Sequence, residues 1–359
     1  MMLEGGTCRG YSAARRFLRD FPAWFEIVRA CVITADRTKG EFAGAWALNE
    51  AKKSGIEWFP NLRPLVSYGI LRRTDVSRGG RRAYYLMEDI AGVRSALLEV
   101  ERQINEAATE AIGNRMYCLT YGIVGDGRGG SEGRGLGTGV GVQWKGSYLI
   151  LTAAHVLQAT PYERLYFFLP SEALVHPASA IPSETKSVEV RRRCLLERPR
   201  VLLSEAFDVA AVIVDSQPAE IASSHFYELD ATHATPPTPA QVGFLGYPGA
   251  SAVPIGQNFM AAVYYDFGLT GTAPAEYDQR HQVSASYPKD TIDPHGLSGS
   301  GLWFSPPLQK RVWTPEVRLV GLVTTYDGAR RVLVGYKVET IIEFLESKQQ
   351  RVGESRGDP

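Results

Sequence analysis

Asp293-Pro294-His295-Gly296-Leu297-Ser298-Gly299-Ser300-Gly301-Leu302-Trp303 is the stretch on which the reading of this chain turns. A run of glycine and serine is ordinarily a solvated linker. Here it passes directly into Leu302-Trp303-Phe304, a large apolar run that a linker would not carry. Ser298 is therefore placed in a tight turn that feeds a buried strand, with glycines where a Cβ would obstruct the chain.

Working outward from that turn, two further segments have the same character of a reactive group beside an apolar strand. Upstream, Tyr148-Leu149-Ile150-Leu151-Thr152-Ala153-Ala154-His155 delivers a histidine onto two small alanines, where the chain can turn and the imidazole can face a cleft. Between the two, Phe207-Asp208-Val209-Ala210-Ala211-Val212-Ile213-Val214 sets an acid at the entrance of an apolar strand. Each segment alone has an ordinary structural explanation: a satisfied histidine, a capping aspartate, a flexible loop. Their joint occurrence favours chemistry.

A serine hydroxyl is a weak nucleophile until a base takes its proton. A histidine can do so near neutral pH and then return the proton to a leaving amine. A carboxylate fixes the imidazole tautomer and stabilises the imidazolium. A negative oxygen formed during attack needs two aimed donors, which the backbone N–H groups of Gly296 and Ser298 can supply. The expected catalytic residues are His155, Asp208 and Ser298, with Gly296 and Ser298 as the oxyanion donors.

The remainder of the chain divides in texture. Up to about residue 112 it reads as mostly helical, with amphipathic spacing over Ala23 to Val32 and Glu41 to Lys53 and a short helix near Leu65. A basic hairpin follows, with flanks Ile70 to Thr74 and Arg82 to Met87. Asp89 reads as the N-cap of a connecting helix carrying Val93, Leu97, Val100 and Ile104. From Tyr117 to about Val338 come short apolar runs separated by Gly, Pro, Asn and Asp, as in an antiparallel barrel or sandwich. A helix over Glu339 to Lys348 closes the chain before a polar tail. The expected domains are 12–88, a connecting helix 89–113, a β domain 114–348 and a disordered tail 349–359.

The three reactive segments resemble the signatures of the trypsin-like serine proteases: a Thr-Ala-Ala-His strand end, an Asp before an apolar strand and a Gly-x-Ser-Gly turn, in the order His, Asp, Ser. Gly137-Thr138-Gly139-Val140 is similar to the family's glycine-containing strand before the histidine. Leu319 to Thr325 is similar to the strand along which substrate backbone pairs. This resemblance implies an all-β fold of two six-stranded barrels and a serine endopeptidase of the bacterial intracellular type. It also implies substrate contacts at Ile292, Asp293, His295, Thr324 and Thr325, with Asp293 favouring a basic side chain in the pocket and Ile292 an apolar one. The elbow of the α/β-hydrolases is excluded, because its histidine follows its serine and all six histidines here precede Ser298.

The sequence departs from the family in two ways. Leu297 stands where members activated by zymogen cleavage carry an aspartate beside the nucleophile. The disulfides of secreted members are missing, since Cys8, Cys31, Cys118 and Cys194 fit no framework or zinc pattern and read as free thiols. No metal and no cofactor is expected. No apolar stretch has the length of a secretory signal or a membrane span, so the expected location is cytoplasmic, away from the membrane.

The helical region with its hairpin resembles a winged-helix domain. Between Asn61 and Ala83 lie six arginines and one acid, among them Arg72, Arg73, Arg78, Arg81 and Arg82, a patch able to grip phosphates. The expected partners are a protein or peptide substrate and, at the N-terminal domain, a partner protein or DNA. By analogy, proteases joined to such domains resemble stress or defence effectors. The competing class is a DNA-binding or adaptor protein that uses a protease fold as a binding platform.

Overall fold

The structure is a computed structural model that describes residues 9–56, 61–74, 83–125, 134–158, 164–168, 189–191, 193–197, 199–214, 223–232, 240–247, 253–255, 258–261, 264–271, 276–287, 293–304 and 317–354. Contacts divide the chain into two compact units, Met1–Ala108 and Thr109–Pro359.

The first unit holds α1 (Arg9–Asp20), α2 (Phe25–Arg37), β1 (Glu41–Ala43), α3 (Gly44–Lys53), α4 (Arg63–Ser67), β2 (Arg72–Thr74), β3 (Tyr84–Leu86) and the start of α5 (Ile90–Cys118). The three strands form an antiparallel sheet in the order β1-β3-β2. The helix read over Glu41 to Lys53 starts three residues later than expected, at Gly44. Glu41, Phe42 and Ala43 instead pair with Leu86, Tyr85 and Tyr84, because burying Phe42 against the sheet outweighs local helix propensity. Helix α1 was not singled out in the sequence, although Ala14, Phe17 and Leu18 give it a buried stripe between its arginines. Asp89 caps α5 by accepting the Gly92 N–H at 2.8 Å, and its other oxygen accepts the Gly10 N–H at 3.0 Å. Thus one carboxylate ties the first turns of two helices together.

In the second unit the chain first forms β4 (Thr120–Gly125), β5 (Arg134–Trp144), β6 (Ser147–Thr152), a short helix α6 (Ala154–Gln158) and β7 (Arg164–Phe168). Next come β8 (Glu189–Arg191), β9 (Arg193–Glu197), β10 (Arg200–Leu203), β11 (Ala210–Val214) and β12 (Tyr227–Leu229). They are followed by β13 (Ala240–Gly246), β14 (Val253–Ile255), β15 (Asn258–Ala261), β16 (Tyr264–Gly271) and β17 (Gln282–Ser286). The last elements are β18 (Gly301–Phe304), β19 (Arg318–Asp327), β20 (Val332–Lys337) and helix α7 (Val338–Glu354).

An eight-stranded sheet runs β10-β11-β6-β5-β4-β7-β9, with β12 added in parallel to β5. Its two edge strands, β9 and β10, are separated in sequence only by residues 198 and 199. A linker that short spans about 11 Å at most, so the sheet must curl until its edges approach each other. Strands β13-β16-β17-β20-β19-β18 close into a barrel. Of two six-stranded barrels expected, one is therefore observed as a closed barrel, and the other half is a curled eight-stranded sheet among the described residues. A small third sheet orders β14-β15-β8.

The side-chain period of two sorts the apolar residues into three layers. Ile150, Ala210, Val212 and Val214 fill the inside of the curled sheet. Val242, Phe244, Leu302, Val320 and Val323 fill the barrel. Residues of opposite parity, including Val140, Val142, Leu149, Leu151, Leu245, Trp303 and Leu319, meet in one core between the two, closed by Ile341, Phe344 and Leu345 of α7. Strands buried on both faces explain why Tyr148 to Thr152 and Val209 to Val214 read as continuous apolar runs.

Two boundaries differ from expectation. Helix α5 continues through Tyr117 to Cys118, because Ile112, Met116 and Tyr117 bury its last turns in the core between sheet and barrel. Helix α7 runs past Lys348 to Glu354, carried on by Gln349, Gln350 and Arg351, which have good helix propensity, while 355–359 lie outside the described residues. No helix among the described residues is long and apolar enough to cross a membrane.

Candidate active site

Asp208 sits at the tip of the β10–β11 hairpin, whose register ends at Leu203 opposite Ala210. The tip is tightly built. Ser204 Oγ accepts the Phe207 N–H at 3.0 Å, Ser204 N donates to Val209 O at 3.0 Å, and Val209 N donates to Phe207 O at 2.8 Å. Phe207 packs against His281 and Tyr336, with ring centroids at 5.0 and 5.3 Å, which anchors the hairpin to the barrel side.

Next to β11 in the sheet, β6 ends at Thr152, opposite Ala210, and the chain turns through Ala153 into α6. This brings His155 to Asp208. The His155 backbone N–H donates to Asp208 Oδ1 at 2.9 Å, and Nδ1 of the ring lies 2.7 Å from Oδ2. Partial burial pushes the Asp208 carboxyl up. The hydrogen bond from the His155 ring, the His155 N–H, the His155 charge and the Ala154 N–H push it down and prevail, so it lies below the ordinary 3.8. Asp208 thus remains an anion at neutral pH and fixes the ring with Nε2 outward. The histidine side chain is 49% exposed and the aspartate 32%, so the pair faces solvent.

The turn Gly296–Ser300 is held differently. Gly296 and Gly299 have φ of 95° and 90°, conformations that glycine adopts without strain. A Cβ at Gly299 would lie 1.8 Å from Thr138 O and 2.4 Å from Thr152 Oγ1, so no other residue fits. The Leu297 N–H donates to Pro294 O at 3.0 Å, Gly299 N to Val323 O at 2.7 Å and Ser300 N to Leu297 O at 2.9 Å. Among the described residues, neither the Gly296 N–H nor the Ser298 N–H has a hydrogen-bond partner. Leu297 is buried in the barrel core with Tyr287, Leu302 and Val323.

The same strands bring the two halves together. A Cβ at Gly137 would lie 2.7 Å from Val156, the neighbour of His155, and 2.9 Å from Ser298 O. Ser298 Oγ donates to Thr324 O at 3.5 Å, a long contact, and makes no hydrogen bond to His155 among the described residues. Catalytic hydrogen bonds are often long or unformed without substrate.

Of the expected substrate contacts, Thr324 is buried and offers its carbonyl beside Ser298, and Thr325 is exposed on β19. A strand irregularity between Val323 and Thr325 marks this segment. Asp293 and His295 are exposed, and Asp293 Oδ1 accepts the His295 N–H at 3.0 Å. Ile292 lies outside the described residues, as do Arg78, Arg81 and Arg82. Arg72 and Arg73 are exposed on β2, with Arg72 paired to Glu88 at 2.7 Å. Sequence reasoning noted Gly137-Thr138-Gly139 but missed how fully Thr138 engages the serine turn; a threonine between two glycines was the available signal. Cys31 and Cys118 are free thiols, and burial pushes Cys31 up to about 12, so it is not a nucleophile at neutral pH.

No family model and no curated protein matches this chain. Solved structures share parts of its outline at low identity. One is human heparin binding protein, at 13% identity and a TM-score of 0.42 over 65% of this chain and 92% of that one. Another comes from work on aromatic interactions in the coupled folding and binding of the Sesbania mosaic virus VPg protein. It has 16% identity and a TM-score of 0.35, over 61% of this chain and 85% of that one. At TM-scores below one half these likenesses carry no argument about the site. The curled sheet and closed barrel are compatible with a trypsin-like β fold.

Proposed function

We propose that the second unit is a serine endopeptidase of trypsin-like fold, with Ser298 as nucleophile, His155 as general base and Asp208 as the carboxylate that orients it. The observation that carries this reading is the pattern of N–H groups around Ser298. The Gly296, Leu297 and Ser298 carbonyls and the Leu297, Gly299 and Ser300 N–H groups are each hydrogen-bonded, whereas the Gly296 and Ser298 N–H groups have no partner among the described residues. Two unpartnered donors flanking a serine are what a developing oxyanion requires. In the reaction, His155 Nε2 takes the Ser298 proton as Oγ attacks the peptide carbonyl, and the open N–H groups receive the negative oxygen. His155 then protonates the leaving amine, and water releases the acyl group by the same steps.

The first unit is assigned as a winged-helix-like domain, supported by its sheet order β1-β3-β2 and by helices α2, α3 and α4 interleaved with it. Its role is to recruit a protein substrate or control the enzyme. Exposed Arg72 and Arg73 favour DNA contact as the second reading, recognisable by binding that falls steeply with salt. The enzymatic reading is tested by incubating the full chain with a peptide library. Cleavage that disappears in Ser298→Ala supports it, and absence of cleavage, with tight binding of duplex DNA instead, favours the platform.

A further inference from the structure

Thr138 makes four hydrogen bonds, and three of them reach across from β5 to other segments around the serine turn. Its N–H donates to Ser298 O at 2.8 Å. Its Oγ1 donates to Gly296 O at 2.9 Å and accepts the Tyr247 N–H at 2.9 Å. Its carbonyl accepts Thr152 Oγ1 at 2.7 Å. The residue is fully buried, so each of these groups lacks water as an alternative partner.

The consequence follows from which peptide planes are held. The Gly296–Leu297 peptide is gripped at both ends, its oxygen by Thr138 Oγ1 and its N–H by Pro294 O. The Ser298–Gly299 peptide is likewise gripped, its oxygen by the Thr138 N–H and its N–H by Val323 O. The Leu297–Ser298 peptide lies between these two planes, and the Gly296 N–H precedes the first. Thr138 thus holds the planes on either side of the Ser298 N–H, whose own plane is held by the Ser300 N–H on Leu297 O, and the plane that directly follows the Gly296 N–H.

We infer that Thr138 is a positioning residue for the oxyanion turn: its hydroxyl keeps the Gly296 carbonyl turned inward, so that the Gly296 and Ser298 N–H groups converge on one point. A hydroxyl is required because the same atom must donate to Gly296 O and accept from Tyr247 N, which neither a methyl nor an amide nitrogen can do. Without it, no other group among the described residues holds the Gly296 oxygen, and a glycine at positive φ can turn its peptide at little cost. The inference rests on the protease reading and concerns only how that site is held open.

The test compares Thr138→Val, which keeps the shape, Thr138→Ala, which removes it, and Thr138→Ser, which keeps the hydroxyl. Each is assayed in the full chain on the best-cleaved library peptide as its p-nitroanilide, and with the matching peptide aldehyde, whose hemiacetal places an oxygen where the oxyanion forms. Valine and alanine should each lower kcat by about 10²-fold, on the precedent of lost oxyanion donors, with KM changed less than about threefold. Aldehyde affinity should fall in parallel, and serine should restore most of both. Alanine keeps the test open if valine does not fold. Wild-type kcat in either variant, or an equal loss in serine, overturns the role of Thr138. A wild-type chain that neither cleaves nor binds the aldehyde brings down the protease reading itself.

Discussion

The turn at Ser298 is hydrogen-bonded by main chain and side chain of β5 and by main chain of β19, whereas the His155 and Asp208 side chains meet each other at the solvent edge. The difference separates what is built into the fold from what depends on protonation. The serine turn is determined by sterics and buried hydrogen bonds, so it is set once the core is set. The acid–base pair is held by a charge-assisted contact that solvent and pH can reach.

The largest effects should come from breaking the chemistry on either side. Ser298→Ala or His155→Ala should lower turnover by about 10⁶-fold, since members of a triad act as a unit. A residual rate above a few per cent would send the search to another nucleophile. Asp208→Asn should cost less, about 10⁴-fold, because the imidazole is held in the wrong tautomer. Equal losses in all three would mean that Asp208 does more than orient His155.

A smaller effect separates the turn from the pair through stability. Leu297 is 1% exposed in the barrel core, so Leu297→Ala should cost about 2–5 kcal/mol in chemical denaturation. On the trypsin-like reading, Leu297 stands where an acid paired with a freed N-terminus would be needed. Full activity should therefore be present without cleavage near the start of the second unit, as mass spectrometry of the active chain can check. A requirement for such cleavage would contradict the account.

The smallest effect concerns pH. The folded Asp208 carboxyl lies below 3.8, so its contribution to stability is fully present above that value and is lost as pH falls through the folded value. The melting difference between wild type and Asp208→Asn should be constant from neutral pH to about 4 and shrink below it, modestly, because the group is partly solvated. A difference that grew on acidification would reverse the sign.

Much of the candidate site was legible because each candidate residue ends or begins an apolar strand buried on both faces, and such strands stand out in sequence. His155 follows Tyr148–Thr152, Asp208 precedes Val209–Val214, and Ser298 precedes Gly301–Phe304. What was not legible is cross-chain: Thr138 reaches Gly296, Ser298 and Tyr247, partners more than a hundred residues away that no local pattern announces. In the first unit, β1 was misread as helix for the same reason, since only its pairing with β3 makes Glu41–Ala43 a strand. The curl of the eight-stranded sheet follows from the short link between β9 and β10, which strand counting alone does not disclose.

Whether Ser298 is an activated nucleophile facing the Gly296 and Ser298 N–H groups is decided by reaction of the full chain with a fluorophosphonate probe. One adduct per chain is expected, mapped by peptide mass spectrometry to Ser298, formed slowly in His155→Ala and absent in Ser298→Ala. An unmodified Ser298 after prolonged exposure, or an adduct on another residue, would contradict that role for Ser298.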